Sequence, residues 1–190
     1  MILLVWFTWA VDEPNSPTHH TNRLAAETHL LDPAQRMGGN QDLSIQRNQA
    51  IDALLKTART DVPKQLTFDF IYRKYRAIQL LGEYRAVEAS KWLVDEIDFF
   101  FPYAHDIHPL NGYPAALTLT QIGSRVFPEI VARLNQPVTE KQLKLFAIVV
   151  WWIDGKEVGL FRLQHTLTEI DPRSNLQHKN LVQLIALFKS

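Results

Sequence analysis

The chain is 190 residues long, enough for one domain with a real core, and its 46% apolar content excludes a wholly disordered protein. Twenty basic and twenty acidic side chains cancel, so no global charge draws it to nucleic acid or anionic lipid. It holds no cysteine, which excludes disulfides, thiolate metal sites and cysteine nucleophiles together.

Residues 1–11, "MILLVWFTWAV", are apolar after Met1 except for Thr8. The run is shorter than the roughly 20 residues a membrane-spanning helix needs. It has the length of a signal-peptide core, but no basic stretch precedes it and no A-x-A site follows. Two readings stay open. One is the tail end of an export signal or membrane anchor that begins upstream of Met1; the other is an apolar segment packed on the domain. Residues 12–43 read as a polar linker, with Pro14, Pro17 and "GGNQD" at Gly38–Asp42 as breaks and one or two helical turns between. A tether of this kind favours the first reading, and so an exported or membrane-anchored location over a cytoplasmic one.

The helical repeat domain is expected over 44–190. Ser44 is a candidate N-cap for a helix that buries Ile45, Ala50, Ile51, Leu54 and Leu55, and Pro63 ends it. Phe68, Ile71, Tyr75 and Ile78 step by three, four and three, one face of a second helix, with Gly82 as its C-terminal cap. Ala89, Leu93 and Ile97 line the next helix. A long loop with three prolines follows, "DFFFPYAHDIHPLNGYP". Loops of that length inside a domain are often functional. Ala116, Leu119 and Ile122 then lead to Gly123, and Phe127, Ile130, Val131 and Leu134 line the helix beyond it, with Pro128 near its start. Thr139 and Gln142 form a capping-box pattern. "LKLFAIVVWWIDG" is apolar all round; its length and the stop at Asp154-Gly155 make it a central helix rather than a strand. Leu160, Leu163, Leu167 and Ile170 mark another helix. Asp171-Pro172 reads as N-cap and first residue of the last one, which buries Leu181, Leu184, Ile185 and Phe188.

Gly82 and Gly123 stand 41 residues apart, and each sits between two apolar helical stretches. "AIQLLG" (Ala77–Gly82) and "FPEIVARL" (Phe127–Leu134) match the two halves of a short bacterial HEAT repeat, written A-x-x-x-L-G, a break, then V-P-x-L-I-x-x-L. The chain resembles the HEAT-repeat family over about Leu66–Ile170. The first unit departs after its glycine: Gly82 to Ile97 spans 15 residues, Gly123 to Leu134 spans 11, and the difference is about one helical turn. A third unit, Thr139–Ile170, keeps the helix pair and loses the consensus. The resemblance implies an all-α fold, an armadillo-type α-solenoid of stacked antiparallel helix pairs. It also implies a non-catalytic scaffold that binds another protein. The alternatives are a small-molecule binder or enzyme of the HEAT-like lyase kind, and a structural subunit of a larger assembly. The last would expose an apolar face near Leu184 and Phe188.

The long loop gathers Tyr103, His105, Asp106, His108, Asn111 and Tyr113, the candidate partner contacts. His105 and His108 stand three apart with Asp106 between, a spacing open to a metal, but no zinc motif accompanies them. His19-His20 belong to the linker, and His165 reads as a surface residue. No catalytic residue, metal site or cofactor is expected. "YRKYR" (Tyr72–Arg76) mixes rings and cations, yet helical geometry puts Tyr72 and Tyr75 toward the apolar face, and no nucleic-acid partner is expected. Trp151 and Trp152 point about 100° apart on a helix, cannot sandwich a ligand, and read as core. Asp95, Glu96 and Asp98 read as solvated.

Overall fold

The computed structural model describes residues 33–60, 68–103, 110–173 and 175–189. The apolar residues 1–11 and the linker as far as residue 32 lie outside them. Among the described residues the protein is all-helical, with seven α-helices and no strand. None of these helices is long and apolar enough to cross a membrane. The chain divides into two units, Met1–Arg47 and Asn48–Ser190.

The described part of the first unit is the beginning of α1 (Pro33–Arg59). This helix runs straight through Gly38–Asp42, where the sequence reading placed a break, and it carries Ser44 in its interior rather than at its N-cap. Each glycine costs about 1 kcal/mol relative to alanine. The surrounding Gln, Arg, Met and Leu are good helix formers, and Pro33 suits a first turn.

In the second unit α1 buries Ile51, Leu55 and Ala58, at spacings of four and three. Ile45, expected on that face, is exposed. Helix α2 (Phe68–Glu83) buries Ala77, Ile78, Leu81 and Gly82. A 3-10 turn (Val87–Ala89) leads into α3 (Ser90–Asp95). After the loop come α4 (Pro114–Ile122), a second 3-10 turn (Ser124–Val126) and α5 (Phe127–Arg133). Helix α6 (Glu140–Glu169) and α7 (Asn175–Lys189) complete the unit. Helix α2 packs on α4, α3 on both α4 and α5, α4 on α6, and α6 on α7.

The two glycines that look equivalent in sequence do different things. Gly123 has φ +84° and breaks the chain between α4 and its 3-10 turn. Gly82 is an ordinary helical residue, not the left-handed cap expected of it. Its missing side chain lets α4 approach. A Cβ there would stand 3.2 Å from Thr118 Oγ1 and would collide with the Gln121 amide. Beside it the buried Thr118 hydroxyl donates to the carbonyl of Ile78 at 2.9 Å. The left-handed residue after α2 is Arg85, at φ +47°. Around it the amide of Ala86 bonds the carbonyl of Leu81 (2.9 Å) and the amide of Arg85 bonds that of Gly82 (2.8 Å), a Schellman closure. The two turns therefore correspond at an offset of 37, not 41. Ser90 answers to Phe127, Leu93 to Ile130 and Ile97 to Leu134. Gly82 sits inside α2 ahead of that turn, which accounts for the extra four residues.

Other expected stops behave as read. Thr139 caps α6, with its hydroxyl accepting from the Gln142 amide (3.1 Å) and the Gln142 side chain accepting from the Thr139 amide (3.0 Å). Gly155, at φ +73°, interrupts α6. Beyond it the chain doubles back: a Cβ on Gly159 would lie 3.1 Å from Val150 Cγ1 and 2.7 Å from the Phe188 ring. Asp154 fastens the corner, pairing with Arg162 Nη1 at 2.5 Å and accepting from Ser124 Oγ at 3.1 Å. Asp171 does not start α7. Its carboxylate accepts from the Arg173 amide at 2.9 Å, and α7 begins at Asn175. Leu181, Leu184, Ile185 and Phe188 are all buried, so the last helix does not present the apolar face that an end-capping subunit was expected to show there.

The carboxylates expected in solvent also make ties to other helices, and of the three Asp95 stays exposed as expected. Asp95 reaches Arg133 of α5 (3.0 Å), Glu96 reaches Lys74 of α2 (2.8 Å), and Asp98 accepts from Gln142 of α6 (3.3 Å). Lys74 is buried, with its ammonium 4.7 Å from the centre of the Phe99 ring. The buried Asn180 of α7 donates to the carbonyls of Leu134 and Gln136, closing the open end of α5.

Replacing Gly82 with Val displaces the Gln121 side chain, crowds the buried Thr118 hydroxyl and lowers stability by about 1 kcal/mol or more, an overpacking cost, read as a lower urea midpoint. Arg85→Gly relieves a left-handed side chain, worth about 1 to 2 kcal/mol, against glycine's extra entropy of roughly half that. Its urea midpoint rises by the equivalent of about 0.5 kcal/mol. No change in either variant would remove the corresponding role.

Candidate functional site

Helix α2 has two apolar stripes. One is the buried set above. The other is Phe68, Tyr72 and Tyr75, which share a face at spacings of four and three and point away from the core. Phe68 is 52% and Tyr72 44% exposed; of the face expected from Phe68, Ile71, Tyr75 and Ile78, Ile78 is buried and Ile71 and Tyr75 are half-buried. The start of the long loop completes a wall of rings. Phe101 is buried at 3% exposure and stacks on Tyr75 at 4.1 Å. Tyr103, 51% exposed, meets Phe101 edge-on at 5.6 Å and Phe68 edge-on at 5.1 Å. Phe68 and Tyr72 lie parallel at 5.8 Å. Gln79 donates to the Tyr75 hydroxyl (2.5 Å) and accepts from Arg76 (2.7 Å), which fixes the ring's polar end.

The loop is pinned at its base. The amide of Phe101 bonds the carbonyl of Gly112 at 2.8 Å, and the amide of Tyr113 bonds that of Leu110 at the same distance. Gly112 leaves room for the Phe100 ring, whose Cε2 would stand 2.6 Å from any Cβ there. Phe100 in turn meets Tyr113 at 5.4 Å. Lys141 lies 4.8 Å over Tyr113, and with Glu140, Lys144 and Leu145 these residues line a notch of about 420 Å³. A hydrogen bond from Lys144, and then its charge, hold the Glu140 carboxyl below its ordinary value.

Of the expected contact residues, Tyr103 stands in the ring wall, Tyr113 in the notch, and Asn111 half-buried in the turn between Leu110 and Gly112. The loop base separates wall from notch, so Tyr103 and Tyr113 belong to two neighbouring patches. His105, Asp106 and His108 lie outside the described residues. Among the described residues no group of three or more His, Asp or Glu could hold a metal ion. Phe68, Tyr72 and Phe100 were missed. The signal for Phe68 and Tyr72 was that α2 carries more apolar positions than one helix face can hold.

A second exposed patch lies at the Gly155 corner. Trp151 and Trp152, read as core, are each about half exposed and meet edge-to-face at 5.6 Å. Val158 and Phe161 are exposed just beyond them. An apolar helix was correctly read; its burial ends at Val150, and the chain turns at Gly155, three residues after Trp152.

Phe101 is the structural member of the wall and Tyr103 its surface. Phe101→Ala lowers stability by about 3 kcal/mol or more. Tyr103→Ala lowers it by about 1, the worth of its ring contacts. Equal losses in thermal unfolding would contradict that division. No protein-family model, curated protein or solved structure matches the chain.

Proposed function

We propose that this chain is a non-catalytic protein-binding scaffold built on stacked helix pairs of the HEAT-like kind. The order of packing supports the arrangement. The first helices of successive pairs, α2, α4 and α6, follow one another, and the second helices α3 and α5 pack together. Short turns join each pair, and Gly155 makes the third pair out of one long helix. One observation carries the binding reading: three half-exposed rings, Phe68, Tyr72 and Tyr103, stand together over the buried Phe101. Rings on a rigid base bury much area at little entropic cost, which is why aromatic residues are enriched in protein interfaces. The partner is another protein, and residues 1–11 would deliver or tether the scaffold.

The test is capture from the cells the protein comes from, with wild type and a Tyr72→Ser/Tyr103→Ser variant side by side. A stoichiometric protein held by the wild type and lost by the variant is the expected outcome. Equal capture by both would move the contact elsewhere, and capture of nothing would count against a scaffold.

A second reading, a structural subunit of a larger assembly, is favoured by Trp151, Trp152, Val158 and Phe161 at the Gly155 corner. It expects association that rises with concentration in sedimentation and is abolished by Phe161→Asp. A monomer at every concentration would end it.

A further inference from the structure

Lys56, Thr57 and Thr60 at the end of α1, with Phe70, Arg73 and Lys74 of α2, line a pocket of about 260 Å³. The described lining holds three cations and no carboxylate. Lys74 is committed to Glu96 at 2.8 Å. Among the described residues Lys56 and Arg73 have no ion-pair partner. Asp52 and Asp69 each precede one of these cations by four residues on the same helix, and neither lines the pocket. The Thr57 and Thr60 hydroxyls donate to the carbonyls of Ala53 and Lys56 (3.0 and 2.9 Å), so the charge of Lys56 and Arg73 has to hold an anion here.

The pocket borders the ring wall. Arg73 follows Tyr72 in sequence and projects about 100° around α2 from it. Helix α2 therefore presents one uncommitted cation, Arg73, facing Lys56 of α1 across the pocket, and an exposed aromatic stripe on its next side. We propose that the partner offers this border an acidic peptide segment. A Glu or Asp carboxylate would enter the pocket between Lys56 and Arg73, and an apolar or aromatic side chain beside it would rest on Phe68 and Tyr72. Arg73 can take a carboxylate through two parallel N–H bonds, which fixes orientation as well as charge. The rings fit a peptide better than a nucleic-acid strand. Phe68 and Tyr72 lie parallel to one another, which leaves less ring face for a base. Two uncommitted cations also match one or two carboxylates rather than a run of phosphates. This inference rests on the protein-binding reading and names the chemistry of its partner.

The experiment pans random twelve-residue displayed peptides on the full chain. It then measures the enriched peptides, in low and high salt, against the wild type and a Lys56→Glu/Arg73→Glu variant. Both positions are exposed, so the variant keeps the wild-type helical circular dichroism. Arg125→Glu, an exposed arginine on the 3-10 turn before α5, is the control. The expected result is a consensus with Asp or Glu next to an aromatic or apolar residue. Binding should weaken at least tenfold in the double variant, stay unchanged in the control, and fall with added salt. A consensus without acidic residues, or acidic peptides that bind the double variant equally well, would overturn the inference and leave the scaffold standing. No enriched peptide would remove both. A fifteen-residue thymidine oligonucleotide that binds the wild type and not the double variant would replace the acidic peptide with nucleic acid.

Discussion

Helices α3 and α5 are six and seven residues long. Isolated helices shorter than about 12 to 15 residues are marginal in water, because the first turn fixes three residues for a single hydrogen bond. Neither would persist without neighbours, and the second unit is organised around supplying them. Leu93 and Ile97, then Ile130 and Leu134, are fully buried. The ends of the two helices are finished from elsewhere. Gln177 and Asn180 of α7 donate to the last carbonyls of α5 and the turn after it. Asp95 at the end of α3 reaches α5, and Glu96 and Asp98 just after it reach α2 and α6. These ties make each short helix depend on elements far away in sequence, so they should gain and lose structure together.

Backbone chemistry was the most legible part of this fold. The capping box at Thr139, the stop at Gly155 and the breaking role of Gly123 follow from local rules and appear as read. Burial was less legible. The spacing of Phe68, Tyr72 and Tyr75 says that they share a face, but not which neighbour covers that face, and here Tyr103 and Phe101 leave Phe68 and Tyr72 about half exposed. Trp151 and Trp152 continue an apolar run whose earlier members are core, and only the corner at Gly155 takes them out of it. The carboxylates at and just after the end of α3 looked like a polar helix end. Their partners lie 22 to 44 residues away in sequence, a distance at which no local pattern speaks. Gly82 shows a subtler failure. A glycine at a helix end suggests a left-handed cap, while here its value is the close approach of α4 and the cap falls to Arg85.

The described ends of the loop, 99–103 and 110–113, are held by the frame. The loop's first aromatic anchor, Phe101, is buried against Tyr75 of α2, and Leu110 is buried at its far end. Tyr103 is therefore held at a fixed place although half its surface faces water. A ring that is both exposed and immobilised has already lost most of the freedom that binding would cost it. The same division runs through the cations: Lys74 is spent on the core, while Lys56 and Arg73 beside it are left for something else.

A straight α-helix of the 30 residues in α6 would be about 45 Å long. In such a helix Val150 and Gly159 would lie about 13 Å apart along the axis. Here the missing Cβ of Gly159 is what lets Val150 and the Phe188 ring stand where they do. A single backbone angle at Gly155 thus converts length into thickness. Any residue with a Cβ at position 155 would favour the extended rod over the corner, and a rod would carry Gly159 away from Val150 and strip α7 of its seat.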